Sequence, residues 1–347
     1  MFYHMLTKTF YSSLLILLVP LFSEGQIGGK RSFEFLHMPG NARVAALGGV
    51  NVSLFDDDVN LLMTNPAALQ TEMSRQIALN HLFYYANINH STLTYAHEIG
   101  KAGAFGFGIQ YVNYGEFDSY DETGLGLGTF RANEYAITVS HSRKQGNFRI
   151  GSTLKMAVSN IGPYTSSALL ADIGGLFLHP QKQLTVGLAF KNMGLPLQQY
   201  TEDSDINLPF DVQLGATYKP EFMPFRFSVT AYNLYQADIA YYDPAYQPYV
   251  NNEEPGTVDK VMRHITFGTE LVLSKNFNLL AGYNHLVRRE LRLEQASGGA
   301  GFSWGFNVRL KTFQFAYTKS YYHVAGGTNF LTLGYNFNNS LKKSKAL

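Results

Sequence analysis

The stretch NFRIGSTLKMAV, residues 147–158, decides how the rest of the chain is read. Phe148, Ile150, Leu154, Met156 and Val158 fall on one face of an extended chain, and Arg149, Thr153 and Lys155 on the other. A period of two marks a strand with unlike faces, not a helix. The alternation returns in FDVQLGATYK (210–219), where Phe210, Val212, Leu214, Ala216 and Tyr218 oppose Asp211, Gln213, Thr217 and Lys219. It returns again where Phe302, Trp304, Phe306 and Val308 alternate with Ser303, Gly305, Asn307 and Arg309.

Fourteen segments of this kind are predicted, at 75–84, 90–99, 102–114, 131–144, 147–159, 166–179, 183–192, 207–219, 224–235, 262–274, 277–288, 297–309, 311–320 and 328–338. Most reach the roughly 9–11 residues that a tilted membrane strand needs, and an even count suits a bacterial outer-membrane barrel. A soluble sandwich also alternates, so the connections matter. Tight joins at KQGN (144–147), HPQK (179–182), SKN (274–276) and LKT (310–312) alternate with long ones at 114–130, 192–207 and 236–261. Short periplasmic turns and longer outer loops sort a membrane barrel this way.

The energetics agree. A Lys or Arg facing lipid at mid-membrane costs about 2–4 kcal/mol. The apolar faces quoted above carry no charge, whereas Arg149, Lys155, Asp211 and Lys219 lie on the opposite faces. The predicted fold is all-β: a 14-stranded antiparallel transmembrane β-barrel with a short N-terminal helical plug.

Composition removes several alternatives. The 347 residues carry a formal net charge of +1 with 15% charged residues, which excludes the basic surface that nucleic acid requires. A mean hydropathy of −0.10 excludes a bundle of membrane helices but not a barrel, whose alternating residues cancel in any average. Cysteine is absent, so neither a disulfide framework, a thiolate metal site nor a lipidated cysteine is available.

The amino terminus reads as a signal peptide over residues 1–25. Lys8 precedes the apolar run SLLILLVPLF (Ser13 to Phe22), and small residues, Ser23 and Gly25, close the segment. The run is too short to span a bilayer and contains Pro20. The mature chain then divides into a plug at 26–74, a barrel at 75–338 and a basic periplasmic tail at 339–347. The final strand, NFLTLGYNF, places Leu331, Leu333, Tyr335 and Phe337 on one face, a pattern like the terminal strand read by barrel-assembly machinery.

Within the plug, Asp56, Asp57 and Asp58 precede VNLLM and suit a helix start, where free amides and the helix dipole favour carboxylates. Pro66 disfavours helix at Asn65, so Asn65, Pro66 and Ala67 are expected to fix the turn into the first strand. ARVAALGG (42–49) and DDDVNLLMTNPAAL (56–69), placed before an alternating barrel, resemble the FadL-like outer-membrane family, in which an Asn-Pro-Ala element belongs to the amino-terminal hatch. Four more stretches are similar to the group of type IX secretion barrels of Bacteroidota to which PorV belongs. They are QIGGKRSFEFL (26–36), GIQYVNYGEF (108–117), LPFDVQLG (208–215) and PFRFSVTAYNL (224–234). The resemblance implies fourteen strands, a hatch, and a place in the attachment complex that fixes secreted cargo to the cell surface. It also implies partners: outer-membrane lipid, a PorZ-like surface protein and, less directly, PorU/PorV-like components.

The remaining motifs have plain readings. GAFGFG and GLGLGTF space their glycines along strands with no helix behind them to receive a phosphate. Three adjacent carboxylates are not the spaced set that calcium loops use. His264 and Glu270 share an inward face of the tenth strand, yet no activated nucleophile is marked. No enzyme activity, metal or cofactor is expected. The loop at 237–260 sets Tyr241, Tyr242, Tyr246 and Tyr249 among prolines, a composition suited to partner docking, although an aromatic girdle would use the same residues. Asp172, Lys191, Asp211 and Arg226 are inward charges of mixed sign, which suits a salt-bridged plug better than a greasy conduit. The expected function is therefore a non-enzymatic surface anchor, with FadL-type transport of a hydrophobic small molecule as the alternative.

Overall fold

The computed structural model describes residues 31–202, 204, 206–240, 255–291, 298–323 and 326–338. Fourteen strands close on themselves, each antiparallel to its neighbours in chain order, with the first paired to the last. The first seven are β1 (Gln76–Phe83), β2 (Asn89–Glu98), β3 (Ala104–Tyr120), β4 (Gly126–Gln145), β5 (Phe148–Ile161), β6 (Tyr164–Leu178) and β7 (Gln183–Gln198). The other seven are β8 (Asp211–Lys219), β9 (Phe225–Ala231), β10 (Ile265–Val272), β11 (Phe277–Asn284), β12 (Phe302–Leu310), β13 (Phe313–His323) and β14 (Gly326–Asn336). Closure joins Gln76 to Asn336 and Phe83 to Asn329, so no strand edge is left open in the wall.

The wall is polar inside and apolar outside. In β5, Ile150 is 63% exposed while its neighbour Arg149 is 8% exposed. Leu214 and Tyr218 of β8 face outward and Asp211, Gln213 and Thr217 are buried. Water would not tolerate that outer surface; lipid would. Rings such as Phe148, Phe177, Phe277, Phe306 and Phe313 gather at the outer face near the tight-turn end, where a membrane barrel carries an aromatic girdle.

Several stretches depart from the sequence reading: β7 runs on to Gln198, into the expected loop 192–207, and β8, β9 and β12 are shorter than expected. The segment 114–130, expected as a loop, is mostly strand: β3 and β4 run on together as a ribbon. Residues 285–288, expected as strand, form the short helix α3 (His285–Glu290), because Asn284 accepts from the amide of Val287 and starts a helical turn. The tenth strand begins at Ile265, since residues before it form α2 (Thr257–Arg263). The predicted signal peptide and basic tail, and the four loop tyrosines Tyr241, Tyr242, Tyr246 and Tyr249, lie outside the described residues.

Residues 31–75 lie in the lumen as a hatch built of short turns. Its one α-helix, α1 (Ala42–Ala46), starts at Asn41, whose side chain accepts from the amide of Val44. Leu47, Leu54, Leu61, Leu62 and Leu69 form its own apolar centre, so the hatch is a small core wrapped in a polar wall. Glycines in the wall let it sit close. A Cβ on Gly282 would lie 2.3 Å from the amide nitrogen of Gly48, and one on Gly151 2.3 Å from the carbonyl carbon of Pro66.

Candidate functional site

The hatch divides the lumen into two unlike places. At the mouth near the tight turns, charge dominates. Arg43 of α1 donates through Nε to Glu270 of β10 at 2.7 Å and through Nη2 to the same carboxylate at 3.1 Å, with both side chains almost fully buried. Its Nη1 lies 2.6 Å from Asp56, and Arg226 of β9 donates to Glu270 at 2.7 Å. Arg309 of β12 donates to Asp57 at 2.5 Å and lies 3.6 Å from Asp56. Arg43 thus grips Glu270 as a bidentate fork that holds position as well as charge, while Arg226 reaches Glu270 and Asp56 through one nitrogen.

This arrangement corrects the reading of the acidic triplet. Asp58 does start the following turn, accepting from the amide of Asn60. Asp56 and Asp57 do not cap; they face the arginines of α1, β9 and β12. Asn65 and Pro66 are corrected too. Asn65 accepts from the amide of Ala67 and donates through Nδ2 to the carbonyls of Val52 and, across the lumen, Gly175. The pair docks the hatch on β5 and β6, while the turn into β1 is made by Thr71–Met73 and by Arg75, whose φ is 59°. Arg149 of β5 clamps this corner by donating to the carbonyls of Ala67 and Leu69.

The inward charges named from the sequence are all luminal, and they are spread around the wall. Lys155 meets Asp172 at 2.7 Å, and Asp172 also accepts from the amide of Asn192 at 2.8 Å. That contact seals a kink where the β6–β7 register slips and Asn192 adopts φ 56°. Lys191 donates to the carbonyl of Met63, and Asp211 accepts from Gln213 and from the amide of Asn233. His264 shares a hydrogen bond with the carbonyl of Tyr232, whereas Glu270 belongs to the ion-paired mouth, so the two do not form a joint site. Among the described residues no group of three or more His, Asp or Glu gathers as a metal set.

At the loop end the hatch stops short and leaves a cup of about 460 Å³. Its floor is hatch: Phe35, Met38, Pro39 and Val50. Tyr84, Tyr114, Tyr232 and Tyr322 bring aromatic rings to the wall, those of Tyr84 and Tyr322 meeting edge to face with centres 5.8 Å apart. Leu286 and Val287 of α3 close part of the rim. The polar part of the lining includes Arg31, Glu34, His37, Asp211, Asn233 and Asn284; Arg31 sits 3.8 Å from Glu34 and 5.3 Å over the ring of Tyr235, and His37 bonds Glu34 at 2.9 Å. Concave, mostly apolar and partly aromatic lining with a few placed polar groups is the usual make-up of a small-molecule site. Sequence reasoning missed the cup because its rings come from distant segments. The signal that could have found it is the run of tyrosines at the loop ends of β3, β9 and β13.

Outside the cup, α2 buttresses α3. Asp259 accepts from Arg263 at 2.8 Å and Arg289 at 2.9 Å and bonds His285 at 2.9 Å. Burial alone would raise the Asp259 carboxyl. The hydrogen bonds from Arg263 and His285 and the charges of Arg263 and Arg289 outweigh that and hold it below the usual carboxylate range.

No family model matches the chain, and no curated protein matches it in sequence. Solved structures do. The Ralstonia pickettii toluene transporter TbuX aligns with a TM-score of 0.53 at 11% identity, over 87% of this chain and 98% of that one. The TodX monoaromatic hydrocarbon channel, as a deltaS2 mutant, aligns at 0.52 and 12% identity, over 86% and 97%. A Pseudomonas aeruginosa FadL homologue aligns at 0.47 and 11% identity, over 86% and 98%. At such identities the likeness speaks to fold: a fourteen-stranded barrel of the FadL-like outer-membrane kind.

Proposed function

We propose that the chain is a non-enzymatic outer-membrane barrel that takes a hydrophobic small molecule into the cup above its hatch and releases it toward the periplasm. The observation that carries this reading is the cup itself, about 460 Å³ with a mainly apolar, partly aromatic lining, inside a barrel whose outer face suits lipid. Support also comes from the fold shared with a toluene transporter and a monoaromatic hydrocarbon channel. The test is titration of the nanodisc-embedded chain with the fluorescent apolar probe N-phenylnaphthylamine, and uptake of toluene by cells with and without the barrel. Saturable binding together with faster uptake supports the reading; binding no better than to empty nanodiscs ends it.

A second reading follows from the hatch. Buried ion pairs between Arg43, Glu270, Asp56 and Arg226 suit a lumen kept shut. Together with the sequence stretches quoted above, this favours a PorQ-like component of the type IX secretion system, anchoring a PorZ-like surface protein beside PorU/PorV-like partners. The two readings part on one measurement. An anchor brings a surface protein with it when purified from native outer membrane and leaves toluene uptake unchanged, and a transporter does the reverse.

A further inference from the structure

We infer that the projecting ribbon of β3 and β4 is a strand-addition site, and that its occupant is an extended, basic and apolar segment of another extracellular protein. The pairing register places the ribbon beyond its neighbours. β2 leaves β3 at Asn113, and β5 leaves β4 at Ala132, with one last tie from the amide of Gly162 to the carbonyl of Arg131 at 2.9 Å. β3 and β4 continue together to the pair Tyr120–Gly126. Among the described residues, both outer edges of this stretch are unpaired in the sheet.

A two-stranded ribbon standing alone in water is marginal, and a third strand stabilises it. Natural edges are blunted with charge, proline or cover. The β4 edge, Gly126 to Phe130, has no charge and no proline, and its glycines allow close backbone approach. Leu127 is 65% exposed on it, and Leu125, in the turn just before it, is 67% exposed. Lipid does not cover them: Arg131 and Glu116, paired 3.5 Å apart and exposed, stand between them and the apolar band. The open position is the one β5 vacates when it turns away at Gly162.

Charge selects the occupant. Residues 116–131 hold four acids, Glu116, Asp118, Asp121 and Glu122, against the single base Arg131, a net of −3. Arg131 closes on Glu116, Asp121 accepts from Thr123 and Leu125 within the turn while keeping its charge, and Asp118 and Glu122 are left for a partner. A second copy of the chain would bring the same three negative charges edge to edge and repel. A strand alternating Lys or Arg with apolar residues satisfies backbone, leucines and carboxylates together. The inference is independent of what the cup binds.

The test uses the full chain in phosphatidylcholine nanodiscs and three labelled decapeptides, alternating Lys–Val, Glu–Val and Lys–Gly. Binding is read by anisotropy, and amide exchange is followed at residues 126–130. The expected result is binding of Lys–Val alone, with slowed exchange at those amides. Leu127→Lys, which blunts the edge and leaves the wall untouched, should weaken binding roughly tenfold. Asp118→Asn with Glu122→Gln should weaken it too, and a heat-modifiable gel shift checks that each variant keeps its barrel. Equal binding of Lys–Gly, protection elsewhere, indifference to Leu127→Lys, or a peptide-free dimer that Leu127→Lys dissolves would each overturn the assignment.

Discussion

The two ends of the hatch are held by opposite means. At the mouth near the tight turns, Arg43, Arg226 and Arg309 meet Glu270, Asp56 and Asp57, and the space beside them, about 220 Å³, is lined almost wholly by polar residues. At the loop end, Phe35 and Met38 face tyrosines across an open cup. Charged forks fix position because direction and distance both matter. Apolar contact is non-directional and tolerates a gap that a ligand can fill. The contrast separates a fixed end, held by directional contacts, from a receptive end, which can change its occupant while those contacts stay made.

The sharpest way to break that contrast is to remove its central cation. Arg43→Ala leaves the buried Glu270 carboxylate with Arg226 as its remaining guanidinium and frees Asp56 on one side. Losing one partner of a buried pair costs about 3–5 kcal/mol. Residues 31–75 of the embedded protein should then become open to protease, with ion conductance rising across a planar bilayer. Protection equal to the parent chain would mean that the ion pairs do not hold the hatch. A step down in size is Gly151→Ala. Its methyl would run into the backbone of Pro66, and overpacking of this kind costs about 1–3 kcal/mol. Amide exchange should quicken at Asn65–Ala68 and stay slow around α1, because α1 is held from the other wall.

These two sites also mark where sequence reading succeeds and where it stops. Alternation is a local property, so the strand count, the closed barrel and the lipid-facing side of β5, β8 and β12 were all legible. Asp56 and Asp57 were not. Their local setting suits a helix cap, and their partners Arg226 and Arg309 lie far along the chain. Nothing local marks Gly151, because the backbone that crowds it, at Pro66, comes from the hatch. The ribbon was read as a loop because glycine and aspartate crowd 115–128, and only cross-strand pairing such as Phe117 with Phe130 makes it a sheet. The cup draws on six or more separated segments, and no window of sequence contains it.

The receptive end gives the smaller effects. Val287→Trp places an indole at the rim of the cup without touching the ion pairs. Affinity for N-phenylnaphthylamine should fall roughly tenfold, the effect of losing about 1.4 kcal/mol of binding, while hatch protection stays at the parent level. If both changed together, the two ends would be one coupled unit and the contrast would be lost. Smallest of all is the response to acid at the rim. Asp259 joins α2 to α3 through Arg263, His285 and Arg289, and its carboxyl is held below the ordinary value of 3.8. A depressed carboxylate contributes its stability above the unfolded value and loses it only as pH falls through the folded one. The share of protection at 257–263 and 285–290 that Asp259→Asn removes should therefore stay constant from neutral pH to about 4, by that linkage, and fall only below. Loosening already at pH 5 would place the control of the rim elsewhere than on Asp259.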